Sequence, residues 1–192
     1  MRASYGNANR YQKHQLLPVG EFVPFENLLR PLAPLFNLPM SSFSRGGYQQ
    51  PNLEANGSNL AMAICYEIAF AGQVRSNTYD DTDYLVTISN DTWFGDSHGP
   101  WQHMQIARMR AMELGKPLLR ATNNGVTAAV DEHGNYIALA PQFKATTLST
   151  NVYGVLGSTI FNTIGNWGAI ILALLGLLPI IATKRTKKHA QA

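Results

Sequence analysis

The chain has 192 residues, 45% of them hydrophobic and only 14% charged, against roughly 25% charged in an ordinary globular domain; that length allows one compact domain with an appendage. The formal net charge is +3, but Lys184, Arg185, Lys187 and Lys188 lie in the last nine residues, and without them 11 basic side chains face 12 acidic ones. A nucleic-acid-binding face needs basic residues spread over the domain, so that class is set aside, and a single cysteine, Cys65, excludes an intrachain disulfide and a multi-cysteine zinc site.

Met1 to Arg10 is polar and lacks the apolar stretch of a secretory signal. Tyr11 to Phe25, punctuated by Pro18, Gly20 and Pro24, is predicted to be a strand end running into an ordered loop. Prolines at 31, 34 and 39 prevent a long helix over Leu28 to Met40. Ser41 to Gly57, rich in Ser, Gly, Asn and Gln, reads as surface loop. Leu60 to Ile64 is a short apolar run, hence a buried strand, entering Cys65. A short helix is expected over Glu67 to Val74, and a second buried strand over Tyr84 to Ser89. Trp101 to Leu114 places Met104, Ala107, Ala111 and Leu114 on one helical stripe, stopped by Gly115 and Pro117. Pro117 to Ala121 is predicted as a strand. Val126 to Val130 and Tyr136 to Ala140 flank a DEHGN turn, a hairpin signal, and Thr146 to Tyr153 is expected to be a last strand. Strands alternating with helices indicate an α/β domain over residues 1–155.

The tail differs. Trp167 to Thr183 carries no charge, and extension back to Ile160 supplies the roughly 20 apolar residues of a membrane-spanning helix. A transmembrane helix is therefore expected over 160–183. The basic segment 184–192 then lies in the cytoplasm by the positive-inside rule, with the domain on the other side. A core helix followed by a solvated basic tail is the competing reading.

Cys65 ends an apolar strand and is followed by Tyr66 and Glu67. A nucleophile at such a turn is exposed above the sheet, and the next backbone N–H can face a developing oxyanion. A lone cysteine is also often a buried packing residue. Lys13 and Glu21 sit in KHQLLPVGE, where Pro and Gly fix the side-chain directions. An ammonium beside a thiol lowers the thiol pKa and stabilises an oxyanion, and a carboxylate can hold that ammonium. Glu67 reads equally as a second acid near the thiol or as a helix cap. NDTWFG, Asn90 to Gly95, ends the second strand, where polar and aromatic residues are well placed for a site. His98 and His103 invite a metal or base reading, but lack the i, i+4 zinc spacing.

KHQLLPVGEFVPF, AICYE, TISNDTWFG and GPWQHMQIARMRAMELGKPLLRATNNG occur in that order, with MSSFSRG at Met40 to Gly46. Together they resemble the nitrilase superfamily, and within it the apolipoprotein N-acyltransferase branch, over about Tyr11 to Pro141; Tyr66 stands where soluble nitrilases commonly have Trp. The resemblance implies a four-layer αββα sandwich, here partial, and a Glu-Lys-Cys triad. It matches Cys65 to the nucleophile, Lys13 to the triad lysine, Glu21 to a supporting glutamate, and Tyr66 and Glu67 to the residues after the nucleophile. Trp93 resembles an aromatic near the lipid-entry side. The triad glutamate lies upstream of the lysine block in that family, yet Met1 to Gln12 contains no Glu or Asp. A fragment that is inactive by itself is therefore expected.

The implied reaction passes a fatty acyl group from a membrane phospholipid, through a cysteine thioester, to the diacylglyceryl-cysteine of an apolipoprotein, without metal or organic cofactor. The implied setting is a monomer in the bacterial inner membrane, its domain periplasmic. The alternatives are a nitrilase-type amidase or hydrolase, with water as acceptor, and an inactive membrane-tethered remnant.

Overall fold

A computed structural model describes residues 9–18, 20–22 and 43–177. The expected proline-rich loop over Leu28 to Met40 and the basic tail lie outside them.

Six strands form one mixed sheet in sequence order: β1 Leu53–Ala55, β2 Ser58–Ile64, β3 Tyr84–Asn90, β4 Leu118–Asn123, β5 Ala128–Val130 and β6 Tyr136–Leu139. β2, β3 and β4 run parallel, with Leu85 opposite both Ala61 and Leu118; the pairs at either edge are antiparallel. The parallel crossovers carry the helices α1, Ala71–Ser76, and α2, Gly99–Leu114. α2 buries Met104, Ala107, Ala111 and Leu114 against Ala61, Ala63, Leu85, Leu118, Ala128 and Val130. Each fully buried large side chain of this kind stabilises the fold by about 1.5–3 kcal/mol. Gly115 ends α2 in the left-handed conformation, φ +64°, which costs glycine little.

Several expectations need correction. The segment 41–57 is not all loop: β1 and β2 form a hairpin whose turn, Asn56 and Gly57, has φ of +50° and +79°. Those signs belong to the tight turn that Asn-Gly favours. The helix expected over Glu67 to Val74 is split, because Cys65–Ala69 forms a 3₁₀ turn and α1 starts only at Ala71. Near Tyr11 to Phe25 the described residues hold only an isolated Pro18–Phe22 bridge. Thr146 to Tyr153 is not a strand; the chain there runs along the domain, with the Tyr84 hydroxyl donating to the Val152 carbonyl at 3.1 Å.

The helix expected to begin at Ile160 does not run through. A short helix α3, Ile160–Ile164, ends at Gly165, φ +57°, and helix resumes over 167–177. The reason is docking of the first part on the domain. Phe161 packs against the core, the Thr159 hydroxyl donates to the Glu113 carbonyl, and Arg75 donates to the Asn162 carbonyl at 2.8 Å. The buried Lys116 ammonium donates to the Val155 carbonyl at 2.9 Å. Among the described residues no helix is long and apolar enough to cross a membrane; 178–183 lie outside them.

Helices cover one face of the sheet. On the other, where Ile64, Ile88 and Ala121 lie side by side, Ile88 is 46% exposed. Parallel strands are ordinarily covered on both sides. Of the four layers expected for an αββα sandwich, the described residues supply one helical layer and one sheet.

Candidate active site

The C-terminal ends of parallel strands are where an α/β sheet opens a crevice. Here a cavity of about 600 Å³ lies at the ends of β2, β3 and β4, with Lys13, Glu21 and Cys65 all in its wall. Leu17, Ile64 and Ile88 give it apolar lining, and Phe43 and Trp93 also line it, at 57% and 74% exposure.

Cys65 is half-buried and has φ +54°. A non-glycine residue in the left-handed region carries about 1–3 kcal/mol of strain and persists where its surroundings over-determine it. The restraint is visible on both sides of the residue. Glu67 takes the preceding Ile64 N–H at 2.7 Å on Oε2, and the Cys65 carbonyl oxygen lies 3.2 Å from His103 Nε2. Tyr66 is partly exposed, its ring edge-on to Phe70 with centroids 4.8 Å apart.

The lysine loop is attached to this turn by the same carboxylate. Glu67 is fully buried, and its Oε1 accepts from the backbone N–H groups of His14 and Gln15 at 2.7 and 3.1 Å and from Gln73 Nε2 at 3.1 Å. The Tyr11 hydroxyl donates to Oε2 at 3.1 Å. Burial and the facing Glu67 charge push the Tyr11 phenol well above its ordinary pKa. Of the two readings open for Glu67, the geometry is that of a cap. It also bridges the segment of Lys13 to that of Cys65.

Glu21 holds Lys13 bidentately, with Nζ at 2.6 and 2.7 Å from its two oxygens, and Oε2 also accepts the Leu17 N–H at 2.8 Å. The ammonium is thus directed by a carboxylate that is itself fixed by the Pro/Gly loop. Gly46 closes the loop from above: its N–H donates to the Lys13 carbonyl at 2.9 Å, and a Cβ there would lie 2.2 Å from the Gln12 carbonyl oxygen. Only glycine permits that approach, which gives a physical reason for the glycine of MSSFSRG.

His98 and His103 do not converge. His98 precedes α2, while His103 points into a buried cluster that pattern reading did not assemble. His103 Nδ1 lies 3.0 Å from Asp91 Oδ1, Arg120 Nη2 donates to Asp91 Oδ2 at 2.9 Å, and the Ser89 hydroxyl donates to Oδ1 at 2.6 Å. Burial alone would raise the Asp91 pKa. The hydrogen bonds from His103 and Ser89 and the Arg120 charge outweigh it and hold the carboxyl below its ordinary value. Burial lowers Arg120, opposed chiefly by Asp91 and in part by Cys65. One signal was present: Arg120 shares a strand face with the buried Leu118, and a charge at a core position requires a partner.

Residues 3–160 match the family model of the carbon-nitrogen hydrolases. An apolipoprotein N-acyltransferase from Vibrio vulnificus is 58% identical over 174 residues, covering 91% of this chain and 34% of its own length. One from Photobacterium profundum is 57% identical over 182 residues, covering 94% and 35%. The chain thus spans about a third of the length of the curated relatives it matches. Among solved structures, an amidase from Nesterenkonia sp. AN1 superposes with a TM-score of 0.48 at 21% identity, over 68% of this chain and 46% of that one.

Proposed function

The chain belongs to the carbon-nitrogen hydrolase family, and from that premise we propose that Cys65 serves an N-acyl transfer from membrane phospholipid to apolipoprotein. The Cys65 thiolate attacks an acyl ester carbonyl, the S–C bond forms, and the C–O bond breaks to release a lysophospholipid, whose alkoxide takes a proton. The α-amino group of the lipoprotein's diacylglyceryl-cysteine then attacks the thioester; the N–C bond forms, the C–S bond breaks, and the proton lost from nitrogen passes to the departing sulfur. Covalent catalysis divides one difficult transfer into two easier steps. Lys13, held by Glu21, stabilises the tetrahedral oxyanion together with the Tyr66 backbone N–H.

The observation that carries this reading is the shared cavity: a thiol, an ammonium and an apolar wall in one space open to the surface. An acyl chain fits such a lining, and the exposed Trp93 and Phe43 suit its entry. The helical stretch 167–177 supports a membrane setting, because Trp167, Ile171, Leu172, Leu174 and Leu175 are all more than half exposed. A helix apolar on every side belongs in a core or a bilayer. The reading places it in the bacterial inner membrane, with the domain on the periplasmic side and the basic tail in the cytoplasm. The apolar outer face of the sheet is the place for the second sheet of an αββα sandwich, and the general-base glutamate has no counterpart in Met1 to Gln12.

The acceptor separates transfer from hydrolysis. A protein of the relatives' full length carrying this sequence is given phospholipid labelled in its acyl chain and a peptide beginning with diacylglyceryl-cysteine. Label moving to the peptide amine supports the proposal. Label released only as free fatty acid identifies a hydrolase and overturns it.

A further inference from the structure

The side chains of Asp91, His103 and Arg120 do not line the cavity wall; the cluster reaches the site through the Cys65 carbonyl oxygen and through Ser89, which lines the cavity and bonds Asp91. That oxygen accepts and cannot donate. The Asp91 carboxylate on the opposite side of the ring, held ionised, also accepts. An imidazole bonded to that carbonyl donates from its Nε2–H, while Nδ1 lies beside both Asp91 Oδ1 and Arg120 Nη2. The ring cannot swing away: Asp91 is 1% exposed and Arg120 2%, and Phe94 packs edge-on with centroids 6.3 Å apart. Gly125 seals the far side, since a Cβ there would lie 2.2 Å from Asp91 Oδ2.

We propose that His103, clamped by Asp91 and Arg120, is a positioning residue that grips the Cys65 carbonyl and so fixes the nucleophile in its left-handed conformation. Its logic is that of an orienting group acting through backbone rather than on the thiol. Glu67 holds the Ile64 N–H, one peptide upstream of the turn, and His103 holds the Cys65 carbonyl in the peptide that follows, so the turn is braced on both sides. Arg120, behind the turn, is close enough to sense the Cys65 charge. The other charged groups around the thiol are Lys13 and Glu21 on the lysine loop and Glu67 on its own turn, with the Tyr136 phenol near Arg120 from β6. The inference rests on Cys65 being the presented nucleophile, whatever the acyl acceptor.

Cys65 is the only thiol, so alkylation of the 192-residue chain by iodoacetamide reads its presentation directly, by intact mass against time and pH. H103L is expected to slow alkylation at pH 7 by about tenfold. H103Q, whose amide N–H can still donate to the Cys65 carbonyl, is expected within about threefold of wild type. H133L, on the exposed hairpin, is the control. A wild-type rate in a folded H103L overturns the proposal. If H103L does not fold, the ¹⁵N signature of His103 in the wild-type chain decides: a protonated Nε2 at pH 7 supports the grip, and a bare Nε2 overturns it. A failed lipid-transfer assay beside the expected alkylation pattern removes the acyltransferase reading and leaves this one standing.

Discussion

The turn that presents Cys65 has two flanks built from ion pairs of different kinds. In front, Lys13 and Glu21 keep 12% and 28% of their side-chain surface; behind, Arg120 and Asp91 keep none. A pair near solvent contributes only about 0–1 kcal/mol to stability, so the front pair is free to serve chemistry. A fully buried pair has no such latitude. Removing either partner leaves a charge in a medium that cannot solvate it, and the cost is paid in folding. The Lys13 ammonium in front thus keeps some contact with water, and the charge behind the turn is sealed.

That contrast can be broken from either side. Glu67→Ala is expected to have the largest effect on stability, about 3–5 kcal/mol by urea unfolding, because the Ile64, His14 and Gln15 N–H groups all lose their acceptor. Lys13→Ala is expected to lower acyl transfer by about 10²–10³-fold while moving stability by less than about 1 kcal/mol. A large loss of stability there would erase the difference between the flanks. Asp91→Asn is expected to cost about 3 kcal/mol at pH 7. The folded-state pKa of Asp91 is depressed, so its contribution is present above the unfolded value of about 3.9 and is lost as pH falls through the folded value. The gap between wild type and Asp91→Asn should therefore narrow below about pH 4. Ile88→Ala, on the uncovered face at 46% exposure, should change the stability of this chain by less than about 1 kcal/mol.

The flanks also differ in how far the sequence discloses them. The front is legible because it is local: Lys13 and Glu21 lie eight residues apart in a Pro/Gly-fixed loop, and Cys65 ends an apolar run. The alternation of apolar runs and the stripe on α2 likewise give the parallel strands and their crossover. The back is assembled from residues 12 and 29 positions beyond Asp91, and each has an ordinary local reading as turn, helix or strand. Only tertiary packing brings them together. Glu67 was ambiguous for the same reason, since its donors at His14 and Gln15 come from a segment more than 50 residues away. Two errors were local. Asn56-Gly57 is a hairpin signal passed over inside a polar stretch, and the uncharged tail concealed that Phe161 belongs to the core while Gly165 ends the helix.

The most direct measurement follows the sulfur itself. A full-length protein carrying this sequence is incubated with a phospholipid of one defined acyl chain, without acceptor, and digested for mass analysis. The peptide containing Cys65 should gain the mass of that fatty acid less water, as an adduct that hydroxylamine removes and Cys65→Ala never forms. An unmodified Cys65 peptide, or the same adduct persisting in Cys65→Ala, would contradict the assignment of this thiol as the acyl carrier.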